Sequence, residues 1–199
     1  KVKFFNNYKI HYSISYILNI CVLIIMKKNL IIYSTTDGHT KAICSYIKAK
    51  LQKTTNTKLV SINNLDKLQL ISFDMIIIGA SIRYGKHRPE LYQFIKDNKN
   101  IINNKKNAFF SVNAVARKAT KNSPTTNPYM IKFLAVSNWR PLQLAVFAGK
   151  INYPKYKLLD KLMIQLIMWM TNGPTNTSRS YEFTNWDDID QFCDQLINI

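Results

Sequence analysis

Phe73–Gly79 reads FDMIIIG, and this run constrains the fold more than any other stretch of the chain. A strand with one face in water alternates apolar and polar residues. Three consecutive isoleucines closed by a glycine predict instead a strand covered on both faces, which is the situation in a parallel sheet flanked by helices. Four more runs of strand character accompany it: Asn29–Tyr33 (NLIIY), Lys58–Ile62, Ala108–Val112 (AFFSV) and Leu142–Ala148 (LQLAVFA). Helical spacing fills the gaps. Lys41–Gln52 carries Ile43, Tyr46, Ile47 and Leu51 on one face; Pro89 to Asp97 begins with proline in its first turn; Tyr129–Val136 is a further helix; and Trp186–Ile197 closes the chain with Trp186, Ile189, Phe192, Cys193, Leu196 and Ile197 aligned. Strands alternating with helices predict βαβ units and a doubly wound, five-stranded parallel α/β sheet. A chain of 199 residues suits one such domain, or one with an insertion.

Open parallel sheets bind ligands beyond the carboxyl ends of their strands, so the segments after the strands are the candidate site. The first is Ser34, Thr35, Thr36, Asp37, Gly38, His39 and Thr40, a hydroxyl-rich turn that feeds a helix. Hydroxyls, backbone N–H groups and the helix dipole suit a phosphate group. The turn lacks the lysine of a Walker loop and the three glycines of a dinucleotide loop, and a monophosphate needs neither. The second segment runs from Gly79 through Ser81, Ile82, Arg83, Tyr84 and Gly85. Its two glycines let the backbone approach a flat ligand on which Tyr84 can stack. The third is Ser111, Val112, Asn113, Ala114, Val115, Ala116 and Arg117, whose amide and hydroxyl groups suit the polar edge of a heterocycle.

One stretch exceeds a minimal fold of this kind. Between the last strand and the last helix, about residues 150–181, lies an insertion containing YKLLDKLMIQLIMWM (Tyr156–Met170). Lys157, Asp160, Lys161 and Gln165 form one narrow polar stripe and the rest is apolar. A helix of this kind is expected in the core, against a second copy in a homo-oligomer, or on a membrane surface. The formal charge of +17 favours anionic partners, although abundant Lys, Asn and Ile also reflect AT-rich codons. No dense Lys/Arg run with interleaved aromatics points to nucleic acid. Cys21, Cys44 and Cys193 are odd in number and widely spaced, and His11, His39 and His87 are scattered, so neither a disulfide framework nor a metal site is expected. Residues 1–25 read as translated sequence upstream of a start at Met26, with a weak membrane anchor as the alternative. Losing Lys1, Lys3 and Lys9 takes the charge to +14.

Together STTDGHT, GASIRYG, FFSVNAVARK, NWRP (Asn138–Pro141) and GKINYPKY (Gly149–Tyr156) resemble the flavodoxin-like, quinone-dependent protoporphyrinogen IX dehydrogenases of bacterial haem synthesis. The resemblance runs from about Met26 to the C-terminus and includes the apolar helix. It departs at Thr36, where a basic residue is expected, and at His39, where an amide is expected; neither change removes a phosphate donor. It implies a flavodoxin-like fold over residues 26–199 and an FMN cofactor. The phosphate would rest on the Ser34–Thr40 loop and the ring between the Ser81–Gly85 and Ser111–Ala116 loops. It also implies oxidation of protoporphyrinogen IX, with menaquinone or ubiquinone as acceptor, by a peripheral protein on the cytoplasmic face of the plasma (inner) membrane. Arg83, Arg117 and Lys118 are candidates for the substrate propionates, with Arg83 foremost, and Tyr153, Lys155, Tyr156, Lys157 and Trp169 for an anionic membrane surface. No acid/base pair is evident. The alternatives on this fold are a flavodoxin-type electron carrier and a nicotinamide-dependent quinone reductase; a basic nucleic-acid-binding protein on a vestigial flavin fold is the third.

Overall fold

The computed structural model describes residues 26–65 and 67–199; the reading of residues 1–25 lies outside the described residues. Five parallel strands form the central sheet: β1 (Lys28–Ser34), β2 (Asn56–Ser61), β3 (Met75–Ser81), β4 (Lys106–Asn113) and β5 (Gln143–Ala148). Their order is β2-β1-β3-β4-β5. The fold class is therefore the doubly wound, flavodoxin-like α/β sheet expected. Each predicted strand lies within a few residues of an observed one.

The isoleucine runs divide by strand periodicity, because successive side chains point to opposite faces. Leu30, Ile32, Ile76, Ile78 and Phe109 pack on one face, under α2 (Pro89–Asn103) and α3 (Pro128–Ser137). Ile31, Ile77 and Phe110 pack on the other, under α1 (His39–Leu51) and the final helix, α5 (Trp186–Ile197). Leu30, Ile31, Ile32, Ile76, Ile77 and Ile78 are all inaccessible to solvent, which explains the absence of polar alternation in the sequence.

Gly79 plays a different part from the one expected. It sits within β3, paired with Tyr33 and Phe110, and a Cβ there would fall 2.2 Å from the tip of the Phe110 ring. The glycine makes room for an aromatic side chain of the core, not for a ligand. The NWRP motif is structural in the same way. Asn138 ends α3 in the left-handed conformation at φ 48°, and Trp139 is fully buried against Phe109 and Phe133.

The insertion is framed by a short antiparallel pair that the periodicity did not predict, β6 (Lys150–Asn152) with β7 (Ser180–Glu182). Between them runs α4 (Leu158–Met170). Of its thirteen residues only Met168 is buried, joining Ile151 and Tyr153 in a small cluster that Ile164 also packs against. Leu158, Leu159, Leu162, Met163, Leu166, Trp169 and Met170 all face outward, with Leu159 78% and Trp169 69% exposed. Core packing, one of the three expected fates of this helix, is excluded. None of the described helices is long and apolar enough to cross a membrane.

The Gly79–Phe110 contact gives a direct test. Gly79→Ala is expected to lower stability by about 1–3 kcal/mol through overpacking, read as a lower urea midpoint. Pairing it with Phe110→Leu should recover part of that loss.

Candidate functional site

The parallel register brings the ends of the central strands level: Ser34 pairs with Ala80, Ala80 with Ser111, and Asn113 with Ala148. The loops that follow β1, β3 and β4 therefore open on one edge of the sheet, beside the point where the strand order reverses. They line one open cleft. From the first loop come Thr35, Asp37, His39 and Thr40; from the second, Ser81, Ile82, Arg83, Tyr84 and Gly85; from the third, Val112, Asn113, Ala114, Val115 and Arg117. Ser34, Ser111 and Ala116 are buried beneath the lining, Thr36 and Gly38 are exposed beside it, and Lys118 lies outside it.

The first loop is built for an anion. Thr35 Oγ1 accepts from Gly38 N–H at 3.0 Å, and Gly38 turns into α1 with φ 86°, leaving the helix without a side-chain cap. Thr40, in the first turn of α1, is fully buried yet lines the cleft, and among the described residues its hydroxyl has no hydrogen-bond partner. A buried unsatisfied hydroxyl is costly, so one bordering an open cleft fits an acceptor such as a phosphate oxygen.

The second loop is a tight turn. Arg83 and Lys86 exchange backbone hydrogen bonds at 3.0 and 3.2 Å, while Tyr84 and Gly85 both take positive φ, 51° and 77°. At Gly85 glycine is there for its backbone, as the sequence suggested.

Both candidate arginines are committed to the protein. Arg83 Nη1 binds Asp37 Oδ2 at 2.8 Å and Nη2 binds Asp160 Oδ2 at 2.9 Å, with the Tyr84 and Tyr156 rings 5.0 Å away. The Tyr84 hydroxyl also donates to Asp160. Arg117 Nη1 binds Ala114 O at 2.8 Å, and its Nη2 binds the carbonyl and the hydroxyl of Thr171 at 2.8 and 2.9 Å. Asp160 belongs to the first turn of α4, and Thr171 is the residue that ends it. The two arginines thus hold the two ends of the insertion helix, Arg83 through Asp160, a carboxylate that the N-terminus favours, and Arg117 as the cation that the C-terminus favours.

The insertion supplies a wall of the cleft that the loops alone do not. Gly149, Lys150, Ile151, Tyr156, Ile164, Ile167, Met168 and Thr171 line it, and Tyr129 adds an aromatic edge from α3. The sequence pointed Tyr156 to a membrane surface and offered Gly149–Tyr156 as a motif of the resemblance, but assigned none of these residues to the cleft. The signal available was the polar stripe of α4: Asp160 pairs with Arg83 and Gln165 donates to Thr175 O at 3.0 Å, so the stripe turns toward the protein. Tyr153, expected at an interface, is fully buried and donates to Pro174 O at 2.9 Å.

Behind the lining, Asn113 is spent on its neighbours. Its Oδ1 accepts from Ala116 N–H at 3.1 Å and from Asn127 Nδ2 at 3.2 Å. Its Nδ2 donates to Ser111 Oγ at 3.3 Å. The Ser111 hydroxyl reaches His87 Nε2 at 3.4 Å, and His87 Nδ1 donates to Ser81 O at 3.3 Å. The Asn113 and Ser111 side chains are thus engaged with their neighbours. His87, buried among Phe109, Phe133 and Tyr92, was not legible as a site-supporting residue.

Residues 30–178 match the flavodoxin domain family. Protoporphyrinogen IX dehydrogenase [quinone] of Escherichia coli K12 is 38% identical over 173 residues, covering 86% of this chain and 96% of that protein. The chain belongs to this flavodoxin-like dehydrogenase family. The Leishmania major protein of the same name is 39% identical over 167 residues, 83% of this chain and 72% of that one. Among solved structures, oxidised Flavodoxin 1 from Bacillus cereus superposes with a TM-score of 0.50 at 15% identity, over 86% of this chain and 98% of that one, and so supports the fold alone. Membership in the family implies a flavin cofactor.

His87 makes the site's support pH-sensitive. Burial pushes its pKa down to about 4, so it stays neutral in the fold while the unfolded chain protonates it near pH 6.5. Its contribution is complete above pH 6.5 and is lost as pH falls toward 4, a difference on the order of 3 kcal/mol. Urea titrations of the wild type and His87→Gln should therefore converge as pH falls across that window; parallel pH profiles would contradict it.

Proposed function

We infer that this chain is an FMN-dependent protoporphyrinogen IX dehydrogenase that passes electrons to a membrane quinone, menaquinone or ubiquinone. The observation that carries the cofactor assignment is the buried, unpartnered Thr40 hydroxyl at the uncapped N-terminus of α1. It fits a terminal phosphate, which FMN has and riboflavin lacks. Thr35, Thr40 and the first N–H groups of α1 would hold that phosphate. Asp37 offers a carboxylate that can only accept and is already paired with Arg83, so its contribution would be its backbone. The Ser81–Gly85 turn and the Val112–Val115 backbone would bracket the ring. When bound, flavin supplies the two-electron and one-electron chemistry that links a porphyrinogen to a quinone.

The chain's own residues position the substrate and exclude water. Ile151, Ile164, Ile167 and Met168 give the cleft an apolar wall suited to a porphyrinogen macrocycle. Arg83 lines the same cleft, and a substrate propionate would meet it by replacing Asp160. Lys118, outside the lining, is not needed for this contact.

The exposed face of α4 supports a peripheral position on the cytoplasmic face of the plasma membrane. Seven large apolar side chains point away from the protein, Lys155 and Lys157 precede the helix, and the net charge is strongly positive. Such a helix would lie in the interface with its apolar face among the acyl chains and its lysines at anionic headgroups, beside a cleft that must receive quinone.

Three outcomes are expected. Purified protein should carry a flavin spectrum and oxidise protoporphyrinogen anaerobically when quinone is supplied. Thr40→Val should weaken FMN binding at least about tenfold and leave riboflavin binding unchanged, as loss of one hydrogen bond to a charged group requires; equal loss for both ligands would remove the phosphate assignment. Flotation with anionic vesicles tests the membrane role. The double variant Leu159→Asp, Trp169→Asp should lose more than about tenfold in partitioning, and undiminished flotation would overturn it.

A further inference from the structure

His39 occupies the first position of α1 and lines the cleft beside the Thr40 hydroxyl. Its ring can be assigned a tautomer from its neighbours. His39 Nε2 lies 2.6 Å from Thr184 Oγ1. That hydroxyl has one hydrogen, and it donates it to Ala148 O at 2.9 Å. Thr184 must therefore accept from His39, so Nε2 carries the hydrogen. Nδ1 is the nitrogen left over, and in the neutral ring it is a bare lone pair.

That lone pair is unsuited to an anion. A phosphate oxygen and an unprotonated imidazole nitrogen are both acceptors and repel each other, whereas a protonated Nδ1 would donate a charge-assisted hydrogen bond. The surroundings keep the free ring neutral. Burial pushes the His39 pKa down; Glu182 on β7 raises it and Lys150 on β6 lowers it. Those two groups pair with each other at 3.1 Å and act in opposite directions, with burial the largest influence. Asp37 in the same loop is held by Arg83 and Tyr156, Lys41 two positions on lies over the Tyr33 ring, and the imidazole and Trp186 rings meet in a T-shaped contact. No fixed charge on these elements supplies the missing proton's partner, but a phosphate dianion at the helix terminus would.

We propose that His39 is a proton-coupled phosphate ligand. Its Nδ1 takes a proton from solvent as a flavin phosphate monoester docks at the N-terminus of α1, so phosphate-dependent affinity rises as pH falls through neutrality. The proposal rests on the FMN reading above and assigns the pH dependence of that same site. Thr184 is the positioning residue: by accepting from Nε2 it reserves Nδ1 for the ligand.

The test is binding to the apoprotein, followed by quenching of flavin fluorescence, with FMN and riboflavin compared at pH 8 and pH 6.5. This range stays above the second ionisation of a phosphate monoester, about pH 6. The wild type should bind FMN about tenfold more tightly at the lower pH, the change expected when binding carries the His39 pKa from below this range to its upper end. His39→Gln should change less than about twofold over the same range, and riboflavin binding should be flat in both proteins. Long-range ¹H–¹⁵N spectra of labelled histidine should show the neutral Nε2–H tautomer in the apoprotein and both nitrogens protonated in the FMN complex at pH 7. A neutral ring in that complex overturns the proposal, as do superimposable pH profiles for wild type and His39→Gln with FMN still preferred over riboflavin. That last result would leave the FMN reading standing. FMN bound no better than riboflavin at any pH would remove both.

Discussion

Two guanidinium groups decide how this molecule departs from a minimal doubly wound sheet. Arg83 reaches from the turn after β3 to Asp160 at the start of α4, and Arg117 reaches from the segment after β4 to Thr171 at its end. Each is anchored on its own side as well, Arg83 on Asp37 and Arg117 on the Ala114 carbonyl. The insertion helix is thereby bound at both ends to loops of the sheet, and those loops are bound to it. Exposed ion pairs hold little by themselves. Here, however, the Arg83 side chain is only 16% exposed and meets two carboxylates and two aromatic rings at once, so the arrangement fixes geometry more than it adds stability.

Beneath the cleft, the end of the sheet is stiffened by polar groups that have no contact with solvent. The line from Asn127 through Asn113 and Ser111 to His87 and the Ser81 carbonyl joins the N-terminus of α3 to the last residue of β3. Every member is satisfied by another, the condition under which a buried polar chain rigidifies a core instead of weakening it. The cleft loops therefore rest on a scaffold whose registration is set from below by hydrogen bonds and from above by the arginines.

The strands were legible because burial on both faces writes itself as uninterrupted apolar runs, Leu30–Ile32 and Ile76–Ile78 above all. The first loop was legible because hydroxyls before a helix have few other uses. What stayed hidden has a common cause: the role depends on a partner distant in sequence. Gly79 answers to Phe110, Arg117 to Thr171, and His87 to Ser111. β6 and β7 are three residues each and pair over about thirty residues of chain, too short to show a period. The polar stripe of α4 was read correctly as a stripe. Its direction could not be read, since amphipathicity gives a helix two faces and does not say which one the fold will claim.

That direction carries the largest energetic consequence in the structure. A helix laid on a protein normally buries its apolar side. α4 instead turns Asp160 and Gln165 inward and leaves seven large apolar side chains outside. Burial of each would be worth about 1.5–3 kcal/mol, so the orientation leaves on the order of 10 kcal/mol unrealised within the monomer. Inward contacts through Ile164 and Met168 and the two arginine links define this orientation. A fold that spends its best-placed cations on holding an apolar face outward makes sense if that face has a medium to enter. The proposed site beneath it, which must take a macrocycle from one side and a quinone from the other, is adjacent to the same face. The helix is thus both the wall of the cleft and its outermost surface, and the residues that position it are the ones the sequence suggested for the substrate.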